Sequence, residues 1–274
     1  MRIGYQGEPG SYSYRAVGEL FPVCDPVGLR GFAAAFAALE NGDVDRLVVP
    51  VENSTTGSVL PVLDRLPGGE GKKPFAIVAE HLVEVRHAIL GVPGATLDGV
   101  REVRSHPEAL SQAERSLLDL GVDAVARHDT AGAVGEVAAL GDPSIAALAP
   151  PGAAEIYGLE ILQRNVMDRD HNTTRFVVLA PGEPRVGPGD DKTTMLFTAS
   201  HTPGALALVL AELGLRGANL TRIESRPANE AWSYRFFIDF VHEPGPDGLG
   251  RVIDPPPATC ADLRVLGSYV RVAE

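Results

Sequence analysis

The chain has 274 residues and a formal net charge of −12 at neutral pH, from 24 Lys plus Arg against 36 Asp plus Glu. That acid surplus excludes a nucleic-acid backbone as a partner and requires cations to be gathered locally wherever an anionic ligand binds. Two isolated cysteines, Cys24 and Cys260, exclude a disulfide framework and a Cys-based metal site, and no window approaches the roughly 20 apolar residues of a membrane span.

The opening MRIGYQGEPG breaks at Gly and Pro and holds no apolar signal region, so a cytoplasmic location is expected. Met1 to Tyr5 is a strand candidate, followed by a Gly/Pro turn from Gln6 to Ser11 and a helix from Ser13 to Phe21. Gly31 to Asn41 predicts a helix and Arg46 to Val51 a buried strand. The polar turn Glu52 to Ser58 opens a helix from Val59 to Leu66, and Gly68 to Lys73 is a loop. Phe75 to Val92 alternates as strands. Glu102 to Ser105 ends another, and Pro107 starts a single helix running to Leu120. A helix from Thr130 to Leu140, a strand from Ser144 to Leu148, a short helix from Ala153 to Tyr157 and a strand at Phe176 complete an alternating pattern.

That alternation predicts an α/β catalytic domain over 1–182 in two lobes, about 1–78 with 166–182 and about 79–165, like periplasmic binding proteins, with the site in the cleft between them. The Pro/Gly-rich stretch at 183–191 reads as a linker. Residues 192–274 predict a small α+β domain: a strand at Thr193–Ala199, a helix at Ala205–Leu213, strands at Leu220–Ser225 and Trp232–Val241, and a last strand at Arg264–Val272. Pro244, Pro246 and Pro255 to Pro257 leave room for little more than a turn where a second helix belongs.

Four polar turns stand at strand ends: Gln6 to Ser11, Glu52 to Ser58, Ser105-His106, and Asn172 to Arg175. Three precede helices, whose free N–H groups can hold a carboxylate. Singly, each is the ordinary chemistry of a cap or turn; together they mark a ligand site.

These residues carry a resemblance. Gly4-Tyr5-Gln6-Gly7-Glu8-Pro9-Gly10-Ser11, Val51-Glu52-Asn53-Ser54-Thr55-Thr56-Gly57-Ser58, Ser105-His106-Pro107 with Gln112, and Asn172-Thr173-Thr174-Arg175-Phe176 resemble the prephenate dehydratase family. The tail, with Pro203-Gly204-Ala205-Leu206, Asn219-Leu220, Glu224-Ser225-Arg226-Pro227 and Leu266-Gly267-Ser268-Tyr269, resembles that family's regulatory ACT domain, a ferredoxin-like βαββαβ sandwich.

The resemblance implies a lyase that removes the ring carboxylate of prephenate as CO2 and its hydroxyl as water, leaving phenylpyruvate for phenylalanine synthesis, with no metal or cofactor. It places Thr174 at the leaving hydroxyl as a hydrogen-bond donor. Gln6, Asn53, Ser54, Thr56, Ser105 and Thr173 are the expected substrate contacts. Two roles stay open for Arg175: clamping a carboxylate, or bracing the lobe through an acid such as Asp168 or Asp170 because strand alternation turns it away from Thr174. Glu52 would repel a dianion and is expected to brace a neighbour; His106 is expected to cap its helix and His171 to face solvent. In the tail the resemblance implies phenylalanine binding by Gly204, Ala205, Leu206, Asn219, Glu224, Ser225, Arg226 and Pro227, with close backbone approach at Gly204, in a homodimer or homotetramer. Arogenate dehydratase is the nearest alternative, and a non-catalytic amino-acid sensor the alternative of another class. The chain's start at the first catalytic strand argues against a chorismate mutase fusion.

Overall fold

The computed structural model describes residues 1–69, 71, 73–228 and 233–273. In chain order the elements are β1 (Arg2–Gln6), α1 (Tyr12–Leu20), β2 (Asp25–Leu29), α2 (Gly31–Asn41), β3 (Arg46–Asn53), β4 (Gly57–Ser58), α3 (Leu60–Leu63), β5 (Phe75–Glu84) and β6 (Ala88–Gly91). Then come β7 (Glu102–Ser105), α4 (Pro107–Ser111), α5 (Glu114–Leu120), β8 (Asp123–Ala126), α6 (Thr130–Leu140), β9 (Ile145–Ala149), α7 (Ala153–Tyr157), β10 (Glu160–Arg164) and β11 (Thr173–Pro181). The last six are β12 (Lys192–Ala199), α8 (Ala205–Leu215), β13 (Asn219–Pro227), β14 (Tyr234–Val241), α9 (Pro246–Ile253) and β15 (Cys260–Tyr269). The chain divides into two compact units: Met1–Ala35 with Glu52–Gly57 and Leu82–Phe176, and Phe36–Val51 with Ser58–His81 and Val177–Glu274.

In the first unit, β10-β6-β9-β7-β8 form a mixed sheet, parallel at β9-β7-β8 and antiparallel at β10-β6-β9. Strand alternation splits its core in two. Ala88, Leu90, Ala147 and Ala149 pack with Val134 and Val137 of α6 and Ala153 of α7, while Ile89, Ala146 and Leu148 pack with Ala109 of α4 and Leu117 of α5. The same unit pairs β1 with β2 in parallel. At Gly28 of β2 an added Cβ would lie 2.7 Å from the Gly7 carbonyl, so only glycine fits.

In the second unit the strand order runs β13-β14-β12-β15, then β5, β11 and β3. The β12-α8-β13-β14-α9-β15 segment is a ferredoxin-like βαββαβ unit with antiparallel pairing across β13-β14-β12-β15. Its core sets Met195, Phe197, Ile238 and Phe240 against Val209 and Leu213 of α8 and Leu249 and Val252 of α9. β15 meets β5 at Gly267 opposite Ile77, where a Cβ would fall 2.1 Å from the Ile77 carbonyl. That glycine admits the pairing.

Several elements depart from the sequence expectation. β2, β8 and β10 are additional strands, and the helix expected over Val59–Leu66 is only Leu60–Leu63. The helix expected from Pro107 to Leu120 is broken at Gln112-Ala113 into α4 and α5. The prolines of the tail bracket a helix instead of preventing one: α9 has Pro246 in its first turn, where a missing N–H costs nothing, and Pro255 lies beyond its end. Of the expected loop, Glu70 and Lys72 lie outside the described residues, as does Trp232, where the strand now seen from Tyr234 was expected to begin.

Candidate active site

The turn after β3 and the start of β11 are joined by two hydrogen bonds, Ser54 N–H to the Thr173 carbonyl and Thr173 N–H to Ser54 Oγ, each 2.9 Å. Asn53 folds into this turn. Its Oδ1 accepts from the backbone N–H of Thr55 at 2.9 Å and of Thr56 at 3.1 Å, and from the Thr55 hydroxyl at 2.6 Å. Such an Asx turn is a common use of asparagine after a strand. With Oδ1 committed, Nδ2 points the other way and donates to Asn172 Oδ1 at 2.7 Å and to Thr174 Oγ1 at 2.9 Å.

The network continues inward. Asn172 Nδ2 donates to Gln112 Oε1 at 2.9 Å, and the same oxygen lies 3.2 Å from His87 Nε2. Gln112 reaches this point because the helix breaks there, so the irregularity between α4 and α5 has a use. Burial drives the His87 pKa down to about 4, the Gln112 contact opposing that only in part, so the ring is neutral at physiological pH.

Beside this chain lies a cavity of about 270 Å³ lined by Thr55, Thr56, Glu108, Ser111, Gln112, Met167, Asp168, Arg169 and Asn172. Arg169 is its cation. Asp168 does not oppose it with a free charge: its carboxylate accepts from the N–H groups of Arg115 at 2.8 Å and Ser116 at 3.1 Å and from the Ser116 hydroxyl at 3.0 Å. It thereby caps α5, whose own N-cap Ala113 has no side-chain acceptor. Burial pushes the Asp168 carboxyl up, but these donors outweigh it and hold its pKa below the usual range.

Of the residues expected to bind substrate, Asn53, Ser54, Thr56, Thr173 and Thr174 come together here. Gln6 ends β1, half-exposed, and takes no part in the network. Ser105 faces the interior: it is 0% exposed and its hydroxyl donates to the Leu148 carbonyl at 2.6 Å. Arg175, 8% exposed, pairs with Glu52 at 3.6 Å. That contact gives Glu52 the bracing partner expected of it. His106 caps α4, its Nδ1 accepting from Glu108 N–H at 3.1 Å, and His171 is exposed. The substrate-site expectation omitted Gln112 and Asn172, although both stood in the quoted motifs; Arg169 carried no sequence signal.

In the second unit, Glu224 Oε2 accepts from the Ser58 hydroxyl at 2.7 Å, and that hydroxyl accepts from Arg222 at 2.8 Å. Arg226 clamps Asp64 with two bonds of 2.8 and 2.7 Å, which depresses the Asp64 pKa. Gly204 caps α8 with φ of 80°, and an added Cβ there would meet nothing within 4 Å. Its glycine is thus explained by backbone conformation and not by a close approach within the chain. Ala205 is buried, Leu206 half-buried, and Asn219, Ser225 and Pro227 are exposed along β13 and its start.

The family model for prephenate dehydratase matches residues 3–184, ending ahead of β12. The chain is 36% identical to the arogenate dehydratase/prephenate dehydratase 1 of Arabidopsis thaliana over 98% of its own length and 72% of that protein's. It is 37% identical to the bifunctional N-acyl-homoserine lactone acylase/prephenate dehydratase of Komagataeibacter europaeus, over 97% of this chain and 95% of that one. The solved prephenate dehydratase from Arthrobacter aurescens, in complex with L-Phe, superposes with a TM-score of 0.84 at 28% identity, covering 99% of this chain and 90% of the other. Sequence and architecture agree over nearly the whole length, and this chain belongs to the prephenate dehydratase family.

Proposed function

We propose that the chain converts prephenate to phenylpyruvate, CO2 and water in phenylalanine biosynthesis, with Thr174 as the group that assists the leaving hydroxyl. The observation that carries this reading is the Asn53 Nδ2 to Thr174 Oγ1 bond. A threonine oxygen that accepts from an amide keeps its single proton for another partner, so Thr174 is a donor toward whatever sits in front of it. As charge grows on the departing oxygen, that bond strengthens while the threonine stays un-ionised. Aromatisation of the ring supplies the driving force, and loss of CO2 provides the electron pair, so the protein has to bind, orient and stabilise the leaving group. Thr56, Ser54 and Thr173 with Arg169 supply donors for the substrate's carboxylates in this reading, and Arg175 with Glu52 braces the strand that carries Thr174.

Residues 1–182 form the catalytic domain in this proposal, a two-lobed fold of the periplasmic-binding-protein kind, with 183–191 as a linker and 192–274 as an ACT domain. The βαββαβ order supports the last assignment, as does the relative solved with L-Phe. L-Phenylalanine is the effector, the protein is a cytoplasmic homo-oligomer, and the reaction needs no cofactor. The test is Thr174→Ala: turnover of prephenate should fall by about 10²–10³-fold, the scale of losing a donor to developing negative charge, with substrate binding by calorimetry largely kept. Undiminished turnover would refute the assignment of Thr174.

A further inference from the structure

The hydrogen-bond chain that ends on Thr174 does not begin at the pocket. Its direction is set by two groups that can only donate, the backbone N–H of Thr55 and Thr56, which hold Asn53 Oδ1 and so turn Nδ2 toward Asn172 and Thr174. Asn172 must then show Oδ1 to Asn53 and Nδ2 to Gln112, which must show Oε1 to both Asn172 and His87. An acceptor facing Nε2 requires that nitrogen to carry the imidazole proton. His87 is 3% exposed and its ring lies edge-on to Tyr12 at 5.6 Å. The Tyr12 hydroxyl stands 2.7 Å from the Arg86 carbonyl and 3.1 Å from His87 Nδ1, so its one proton is shared between these two acceptors on the other side of the ring.

We propose that His87, flanked by Tyr12, is a positioning residue for the elimination: its Nε2–H pins Gln112 Oε1 and so fixes the place of Asn172, which shares Asn53 Nδ2 with Thr174. This rests on the reading of Thr174 above. Without the pin, Gln112 keeps Asn172 Nδ2 on its oxygen and Glu108 Oε1 3.4 Å from its Nε2, so the amide keeps its sense, but the oxygen loses one of its two donors and with it a fixed position. Asn172, whose Nδ2 rests on that oxygen, shifts with it, and because Asn53 Nδ2 is shared between Asn172 Oδ1 and Thr174 Oγ1, the placement of Thr174 loosens. His87 touches no residue assigned to the carboxylates, so the consequence falls on kcat and not on KM.

The experiment is steady-state kinetics on prephenate for His87→Met, His87→Gln, Gln112→Met and the double variant His87→Met/Gln112→Met, each checked for native fold by near-ultraviolet circular dichroism. His87→Met should lower kcat about tenfold with KM changed less than about twofold. His87→Gln, whose amide retains a donor for Gln112, should recover most of the loss. In the Gln112→Met background, His87→Met should cost nothing further, because the contact it acts through is already gone. The proposal is overturned by unchanged kcat in His87→Met, by equal losses in both backgrounds, or by a loss that tracks the unfolded fraction. Thr174→Val separates the two layers: if it retains turnover, the reading of Thr174 fails; if it is inactive while the His87 effects are additive, only the positioning role fails.

Discussion

Asn53 decides the state of Thr174 because one amide offers an acceptor on one side and a donor on the other. Asn53→Asp keeps the shape and replaces that donor with a second acceptor. Thr174 would then point its proton inward, and Asn172 Oδ1 would face a like charge-bearing oxygen. We expect kcat to fall at least as far as in Asn53→Ala, by about 10²-fold or more, although the aspartate is the closer isostere; single-turnover kinetics of the two variants checks this. His87 gives a prediction of a different kind. Its folded pKa of about 4 lies below the usual 6.5, so between those values the unfolded chain binds more protons than the folded one. The stability from keeping this ring neutral is complete above pH 6.5 and is lost as pH falls toward 4, by about 3 kcal/mol at the lower limit. Urea midpoints measured across that interval should drop for the wild type and drop less for His87→Gln. Part of the residue-level picture was legible in advance. In β7 the burial alternates, with Val103 and Ser105 both inward, so the apolar Val103 already marked the face on which Ser105 lies. The polar turn outweighed that period in the sequence reading, and Ser105 was assigned to substrate when its hydroxyl belongs to Leu148.

At the scale of elements, the break between α4 and α5 matters most. Apolar periodicity runs through Gln112-Ala113 without interruption, so the sequence predicts one helix. What stops it is tertiary: Gln112 turns to Asn172, and the exposed N–H groups of the new helix find Asp168 more than fifty residues along the chain. Asp168→Ala should therefore destabilise the fold by about 1 kcal/mol, the usual cost of losing a cap, with Asp168→Asn milder because an amide oxygen still accepts. Thermal unfolding of the two variants measures this, and equal midpoints for Asp168→Ala and wild type would remove the cap from the account. The strands that escaped notice have the same kind of cause. β2 contains Pro26 and Gly28, which read as a turn, yet Gly28 is what lets the strand lie against Gly7. β8 and β10 are four and five residues long, too short for alternation to stand out, and pairing with β7 and β6 gives them their form. The buried runs of β3, β9 and β11, by contrast, were plain from their apolar composition.

The whole molecule carries a charge of −12, and several of its cations are already bound to acids of the same chain. Within the second unit, Lys192 pairs with the buried Glu80 at 2.8 Å, Arg226 with Asp64, and Arg222 with Asp239 at 3.6 Å. Glu224 and Arg226 are engaged by Ser58 and Asp64, in the segment that follows the Asn53 turn along the chain. The overall class, alternating α/β followed by a small α+β domain, was readable from periodicity and turn residues, while α9 was hidden because prolines that bracket a helix look like prolines that forbid one. The central claim is an activity, and no helix among the described residues is long and apolar enough to cross a membrane. The decisive measurement is steady-state turnover of prephenate and arogenate side by side by the purified protein. The account predicts phenylpyruvate and CO2 from prephenate, with the higher kcat/KM on prephenate. Failure to turn over prephenate, or a marked preference for arogenate, would contradict it.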